Sequence, residues 1–180
     1  MYNNLFELLQ NRYSCRKYLN DDIKDEDIDK ILYSGTLAPS TNNRQPWEFC
    51  VIKNKDIKNQ ISKLLEEKGI ENKNEAFIKT SIAIYEAPVL LCIFNKEVND
   101  ESISIIQSIG ACIENIILSA ESLGISSLWI RATSIIEKEI EDMLNKSNEH
   151  LMACVALGYS NQKKPIKSRI DIKEITKYYK

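Results

Sequence analysis

The sequence predicts an α+β fold in which a mixed sheet is covered by helices. Three observations carry that expectation. Apolar runs of strand length interleave with helical stripes, one long stripe occupies residues 103–123, and 43% of the 180 residues are hydrophobic. That apolar content can bury one sizeable core, and the length calls for no second domain, so residues 1–180 are read as a single domain. An α/β arrangement is the other way to place interleaved helices and strands.

Leu5, Phe6, Leu8 and Leu9 recur at helical spacing, as do Ile28, Ile31 and Leu32 behind a candidate cap at Asp25. Between these two amphipathic helices, Arg12 to Leu19 alternates in a way that suits an extended segment. Pro39 to Pro46, rich in Ser, Thr and Asn, is a loop that enters an apolar strand, Trp47 to Ile52. A charged helix is expected around Ile57 to Lys68 and a second strand from Val89 to Phe94. From Ile103 to Leu123, residues Ile105, Ile109, Cys112, Ile113, Ile116 and Ala120 belong to a stripe wider than a one-sided surface helix requires, and Gly124 stops it. Such a helix is either central or at a subunit interface. A third strand fits Ser127 to Ile130, a short helix Ile135 to Leu144, and a fourth strand Met152 to Leu157. The tail from Ser160 is polar and basic.

Composition excludes several classes of function. A formal net charge of −2 is not that of a nucleic-acid sheath. The start of the chain lacks the apolar core of a signal peptide. The longest apolar run, Ala87 to Phe94, falls far short of the ~20 residues of a membrane span, so no membrane partner and a cytoplasmic location are expected. Five scattered cysteines without a C-x-x-C read as buried free thiols. With His150 the one histidine, no residues stand at zinc-ligand spacing and no metal is expected. A hydrolase triad would have to recruit that same His150 without a G-x-S-x-G elbow to serve.

Arg12, Ser14 and Arg16 stand two apart, so on an extended backbone their side chains project to one side, two guanidinium forks flanking a hydroxyl. Those are donors of phosphate size, and Lys167 and Arg169 repeat the spacing near the far end. On charge alone both sets would be solvated surface residues. The loop Ala38-Pro39-Ser40-Thr41-Asn42-Asn43-Arg44-Gln45-Pro46-Trp47 adds donors and acceptors of the kind a flavin ring edge requires.

With these segments in order, the sequence resembles the nitroreductase family of flavoproteins over nearly its whole length. Arg12-Tyr13-Ser14-Cys15-Arg16 is similar to the family's R-x-S-x-R motif, which implies that Arg12, Ser14 and Arg16 hold the FMN phosphate and ribityl chain. The Ala38 to Trp47 loop is similar to the family's A-P-S-x-x-N-x-Q-P-W loop, implying that Pro39, Ser40 and Asn43 contact an FMN bound mainly by the other subunit of a homodimer. Lys167-Ser168-Arg169 resembles the basic pair that completes the phosphate site. Leu123-Gly124-Ile125-x-x-Leu128-Trp129-Ile130 resembles the strand that approaches flavin N5, where Arg131-Ala132-Thr133 replaces the small glycines of many members. Arg131 is therefore a candidate flavin contact. Gly69 to Tyr85 matches no flavin-contacting segment.

The resemblance implies a nitroreductase-like α+β fold with the long helix at the dimer interface. It also implies an FMN-dependent oxidoreductase in which NADH or NADPH delivers hydride to N5 and a nitroaromatic, quinone or similar acceptor removes it, in a ping-pong cycle. The chemistry resides on the cofactor, so no side chain is expected to act as catalyst. The competing expectation is a non-turnover protein that sequesters, senses or consumes FMN.

Overall fold

The computed structural model describes residues 4–97, 100 and 102–180. In chain order the elements begin with α1 (Leu5–Asn11), α2 (Asp25–Thr36), β1 (Trp47–Ile52), α3 (Lys55–Glu71) and α4 (Glu75–Glu86). They continue through β2 (Val89–Asn95), α5 (Ile103–Ser122), β3 (Ser126–Ile130), α6 (Glu137–Met143), β4 (His150–Gly158) and a last turn of helix, α7 (Ile172–Ile175). Asparagines cap three of the helices: Asn4, Asn54 and Asn74 each accept backbone N–H bonds at the helix starts, as short polar side chains do.

The strands form one sheet in the order β1-β2-β4-β3, each neighbouring pair antiparallel. Parallel pairing enters through a bridge between Ser14 and Ser127, where the Cys15 N–H donates to the Ser127 carbonyl at 2.9 Å. This bridge lays the N-terminal extended segment along the open side of β3. Burial alternates in that segment as the sequence predicts: Tyr13 and Cys15 are buried, while Arg12 and Ser14 are half-buried and Arg16 is exposed.

Helices cover both faces of the sheet. Every residue of β2 is buried, because a central strand with helices on both sides has no solvent face. Val89, Leu91 and Ile93 pack in one core with α2 and α5, and Leu90, Cys92 and Phe94 pack in the other with α3, α4 and α6. The α+β expectation holds, with boundaries that shift by a few residues. Two local differences stand out. The stretch without an assignment contains α4, and the predicted short helix near 135–144 starts instead as a 3-10 turn, Ala132–Ile136, before α6.

The long helix α5 is central. Ile105, Ile109, Cys112, Ile113, Ile116, Ile117 and Ala120 are buried, while Ile103 and Ile106 at its start are exposed. By length and composition α5 could cross a membrane; in this fold its buried stripe packs against α2 and β3. Gly124, at φ +76, ends it with the left-handed residue that the sequence signalled.

Behind the sheet the two chain ends are stitched together. Leu19 N–H donates to the Tyr159 carbonyl at 2.8 Å, and the Ser160 hydroxyl donates to the Lys17 carbonyl at 2.7 Å. Gly158 permits the close approach: a Cβ there would stand 2.6 Å from Pro88 Cδ and 2.7 Å from Tyr18 Cδ1.

Candidate cofactor site

The segment after α1 and the tail after β4 supply the cationic groups. Arg12 closes α1, its N–H donating to the Leu8 carbonyl at 2.9 Å, and the chain then turns into the extended run beside β3. The tail follows that run. The Tyr13 hydroxyl donates to the Gln162 carbonyl at 3.3 Å, and the Arg16 N–H donates to Gln162 Oε1 at 3.4 Å. Lys164 pairs with the buried Glu121 at 2.5 Å and lies 5.7 Å from the centre of the Tyr13 ring.

Further along, Lys167 Nζ reaches the Gln10 carbonyl at 3.5 Å, and Lys167 and Arg169 line a concavity of about 550 Å³ with Phe6, Leu9 and Gln10. Burial lowers the Lys167 pKa, and the charges of Arg12 and Arg169 lower it further, which Glu121 only partly opposes. Arg12, Lys167 and Arg169 are therefore brought together from opposite ends of the sequence, as positive charges that a dianion would neutralise. Ser14 and Arg16 stand further along the same run, where Arg16 Nη1 donates to the Ser14 carbonyl at 3.4 Å. Arg16 and Gln162 line a second concavity, of about 320 Å³.

The loop residues lie elsewhere on the chain. Pro39 and Ser40 border a shallow concavity of about 260 Å³ against Ser104 and Ser108 of α5, and Thr41 N–H donates to Ser108 Oγ at 3.1 Å. Ser40 Oγ accepts from the Gln45 N–H at 3.0 Å, which leaves its own O–H to donate. Asn43 is exposed in a left-handed conformation, φ 54. Within one chain Pro39 and Ser40 thus border α5, Asn43 is exposed, and none of the three lines the concavities beside Lys167, Arg169 and Arg16.

Arg131 follows β3 and is exposed, lining a concavity of about 160 Å³ with Asn95, Ile106, Glu137 and His150. Sequence reasoning treated His150 as an ordinary residue ahead of a strand. It is the first residue of β4, and its Nδ1 lies 3.7 Å from Glu137 Oε1. One ligand atom each from Glu137, Glu141 and His150 lie within 4.8 Å of one another, so this group has the donors to hold a cation. Burial raises the Glu137 pKa, and the neighbouring Glu141 raises it further against the pull of Arg131 and His150. Counting histidines could not reveal the group, because carboxylates at i and i+4 of a helix meet a histidine nine residues further on only through folding.

Arg44 was also missed. It occupies the variable position between Asn43 and Gln45, and its guanidinium grips Glu97 and Asp100. Spacing in the sequence carried no sign of that pairing.

A family model, Nitroreductase family, matches residues 9–159. The chain belongs to the nitroreductase family. An Archaeoglobus fulgidus protein named "Putative NADH dehydrogenase/NAD(P)H nitroreductase" is 31% identical over 162 residues, which cover 88% of this chain and 86% of the relative. The crystal structure of a BluB-like flavoprotein from Clostridium difficile 630 superposes with a TM-score of 0.85 at 29% identity, covering 98% of this chain and 99% of that one. A Bacteroides fragilis nitroreductase solved with bound FMN shares the fold, with a TM-score of 0.81, 24% identity and coverage of 99% and 100%. The nitroreductase fold expected from the motifs is the fold observed.

Proposed function

We propose that residues 1–180 form a single FMN-binding domain of an oxidoreductase that works as a homodimer. The observation that carries this reading is the cationic group at Arg12, Lys167 and Arg169: Lys167 Nζ reaches the Gln10 carbonyl beside Arg12, where burial first and then the charges of Arg12 and Arg169 depress its pKa. A phosphate monoester near two negative charges fits that donor set, since planar Arg and compact Lys give it short charge-assisted bonds. The FMN-bound Bacteroides fragilis structure and the flavoprotein from Clostridium difficile support the choice of cofactor.

FMN, when bound, supplies the chemistry by taking hydride at N5 from NADH or NADPH and giving it to a small electron-poor acceptor, a nitroaromatic, quinone or similar compound, in a ping-pong cycle. The protein's own part is to bind and orient. Arg12, Lys167 and Arg169 anchor the phosphate, with Ser14 and Arg16 further along the same edge. Ser40 and Asn43, with Pro39 stiffening the backbone beside them, meet the cofactor of the partner subunit. Arg131 brings positive charge to the end of β3, suited to an electron-rich ring. The name of the Archaeoglobus fulgidus relative supports a nicotinamide donor. Five free cysteines fit the reducing cytoplasm.

Anaerobic addition of NADPH to the FMN-loaded protein tests the turnover. Fast loss of the yellow colour is expected; persistent colour with both NADPH and NADH would favour the non-turnover flavin binder, a reading that likeness to a flavoprotein not named as a nitroreductase keeps in play. Arg12→Ala is expected to weaken FMN binding by about 1.5 to 3 kcal/mol, the range for a lost bond to a charged group. Unchanged affinity in a fluorescence titration would show the phosphate assignment to be wrong.

A further inference from the structure

Three residues of the loop before β1 hold backbone conformations that side chains disfavour. Asn42, Asn43 and Gln45 have φ values of 50, 54 and 49, with Arg44 among them at φ −70. In this left-handed region Cβ crowds the following carbonyl; asparagine tolerates it, whereas Gln45 carries the full penalty, so the run is helped by groups that hold it. Part of the hold is local. The Asn43 N–H donates to the Ser40 carbonyl at 3.0 Å, the Arg44 N–H to the Thr41 carbonyl at 3.0 Å, and the Gln45 N–H to Ser40 Oγ at 3.0 Å.

Beside the Thr41 N–H bond to Ser108 Oγ, the Arg44 side chain adds a second hold from outside the loop. Its Nη2 donates to Glu97 Oε2 at 2.8 Å, its Nε to Glu97 Oε1 at 3.4 Å, and its Nη1 to Asp100 Oδ2 at 2.6 Å. The acceptors are themselves fixed. Asn95, fully buried at the end of β2, accepts the Glu97 N–H at 3.0 Å and donates to the Asp100 carbonyl at 3.0 Å. Asp100 Oδ1 accepts the Ser102 N–H at 2.9 Å, which leaves Oδ2 to Arg44. The Lys96 N–H donates to the Pro46 carbonyl at 2.9 Å, tying the end of β2 to the loop's far end.

We propose that Arg44 is a positioning residue for cofactor binding: by gripping Glu97 and Asp100, which lie in the sequence between β2 and α5, it holds the Ser40–Gln45 loop in the shape that offers Ser40 and Asn43 to the flavin. The proposal rests on the FMN reading and deepens it. A planar fork that meets one carboxylate through two nitrogens and a second carboxylate through the third fixes direction as well as distance, which an ammonium cannot do. Both acids stay ionised in ordinary buffers. Hydrogen bonds from Ser102 and then the Arg44 contact hold the Asp100 pKa down at about 2, and Arg44 lowers that of Glu97. About a third of each of the three side chains is exposed, so the cluster adds little to global stability and its effect is local.

Arg44→Ala, Arg44→Lys and the double variant Glu97→Gln/Asp100→Asn test the inference, with FMN affinity from fluorescence titration and the visible circular dichroism of the saturated flavin as readouts. Arg44→Ala is expected to bind FMN about tenfold more weakly, the scale of one lost charge-assisted contact. It should also alter the dichroism of the bound flavin while the melting temperature moves by less than about 4 °C. The double variant, which removes the anchors and keeps Arg44, should reproduce the same dichroism, and Arg44→Lys should restore less than half of the lost affinity. Wild-type affinity and dichroism in Arg44→Ala would overturn the positioning role alone, provided the wild type binds FMN. A double variant indistinguishable from wild type beside an altered Arg44→Ala would overturn it in favour of direct flavin contact. Should Arg44→Ala fail to fold, the double variant decides by the same two readouts. A wild type that binds no FMN would overturn the flavin reading itself, and this inference with it.

Discussion

A lysine held beside two arginines releases its proton more readily than a solvated one, and Lys167 is such a lysine. Burial and the charges of Arg12 and Arg169 lower its pKa in the free protein. A phosphate dianion set among these groups acts in the opposite direction and raises it, so FMN binding takes up a proton wherever free Lys167 has begun to lose one. The sign follows. Below the lowered pKa both states are protonated and affinity is at its full value; as pH rises through it, affinity falls. Lys167→Arg keeps its charge throughout, because a guanidinium does not titrate in this range. Dissociation constants measured from about pH 7 to about pH 10, below the ordinary lysine pKa, should rise with pH in the wild type and stay flat in Lys167→Arg. Parallel slopes would mean that Lys167 does not touch the phosphate.

At the scale of elements, the packing of β4 against its neighbours turns on one position. Gly158 ends β4 where Tyr18 and Pro88 close over it, and any Cβ would overlap Pro88 Cδ at 2.6 Å. Proline cannot swing aside as a long side chain can. Gly158→Ala is therefore expected to lower stability by about 1 to 3 kcal/mol, the usual cost of overpacking a filled core, read as a lower denaturation midpoint at unchanged slope. An unshifted midpoint would show that Pro88 and Tyr18 give way to the added Cβ without cost. Strength of signal in the sequence follows the same packing. Strand β2 and helix α5 were legible because their burial is carried by large apolar side chains, continuous in a strand covered on both faces and periodic in the core helix. Helix α4 was not. It packs on α3 partly through Ile84 and Phe77 and partly through small and polar groups, with Ser62 Oγ donating to the Ser81 carbonyl at 2.8 Å and Gly69 lying under Ile78, while Ile82 and Tyr85 face outward. Apolar residues on both sides of the helix blur the stripe that would mark such a contact. The candidate site divides likewise: the motif spacing named Arg12 and Lys167, whereas the Arg44 grip and the Glu137–His150 contact depend on which turns the sheet brings together.

The whole molecule leaves apolar side chains outside that a lone folded chain would cover. Phe6, Ile103 and Ile106 are exposed, and along the tail Ile166, Ile170, Ile172, Ile175, Tyr178 and Tyr179 all face outward. Apolar residues repeated along an extended arm mark a surface made to lie against another protein, and in the proposed homodimer the second copy covers it. The same arm carries Lys167 and Arg169, so docking the arm and completing the phosphate site become one event. Replacing Ile170, Ile172 and Ile175 together by serine removes docking surface without removing a cationic group. The triple variant is expected to shift toward monomer in light scattering at micromolar concentration and to lose FMN affinity in parallel, whereas Arg12→Ala should lose FMN and stay dimeric. A wild type that scatters as a monomer while holding FMN would separate the two events and leave the exposed arm without its proposed role.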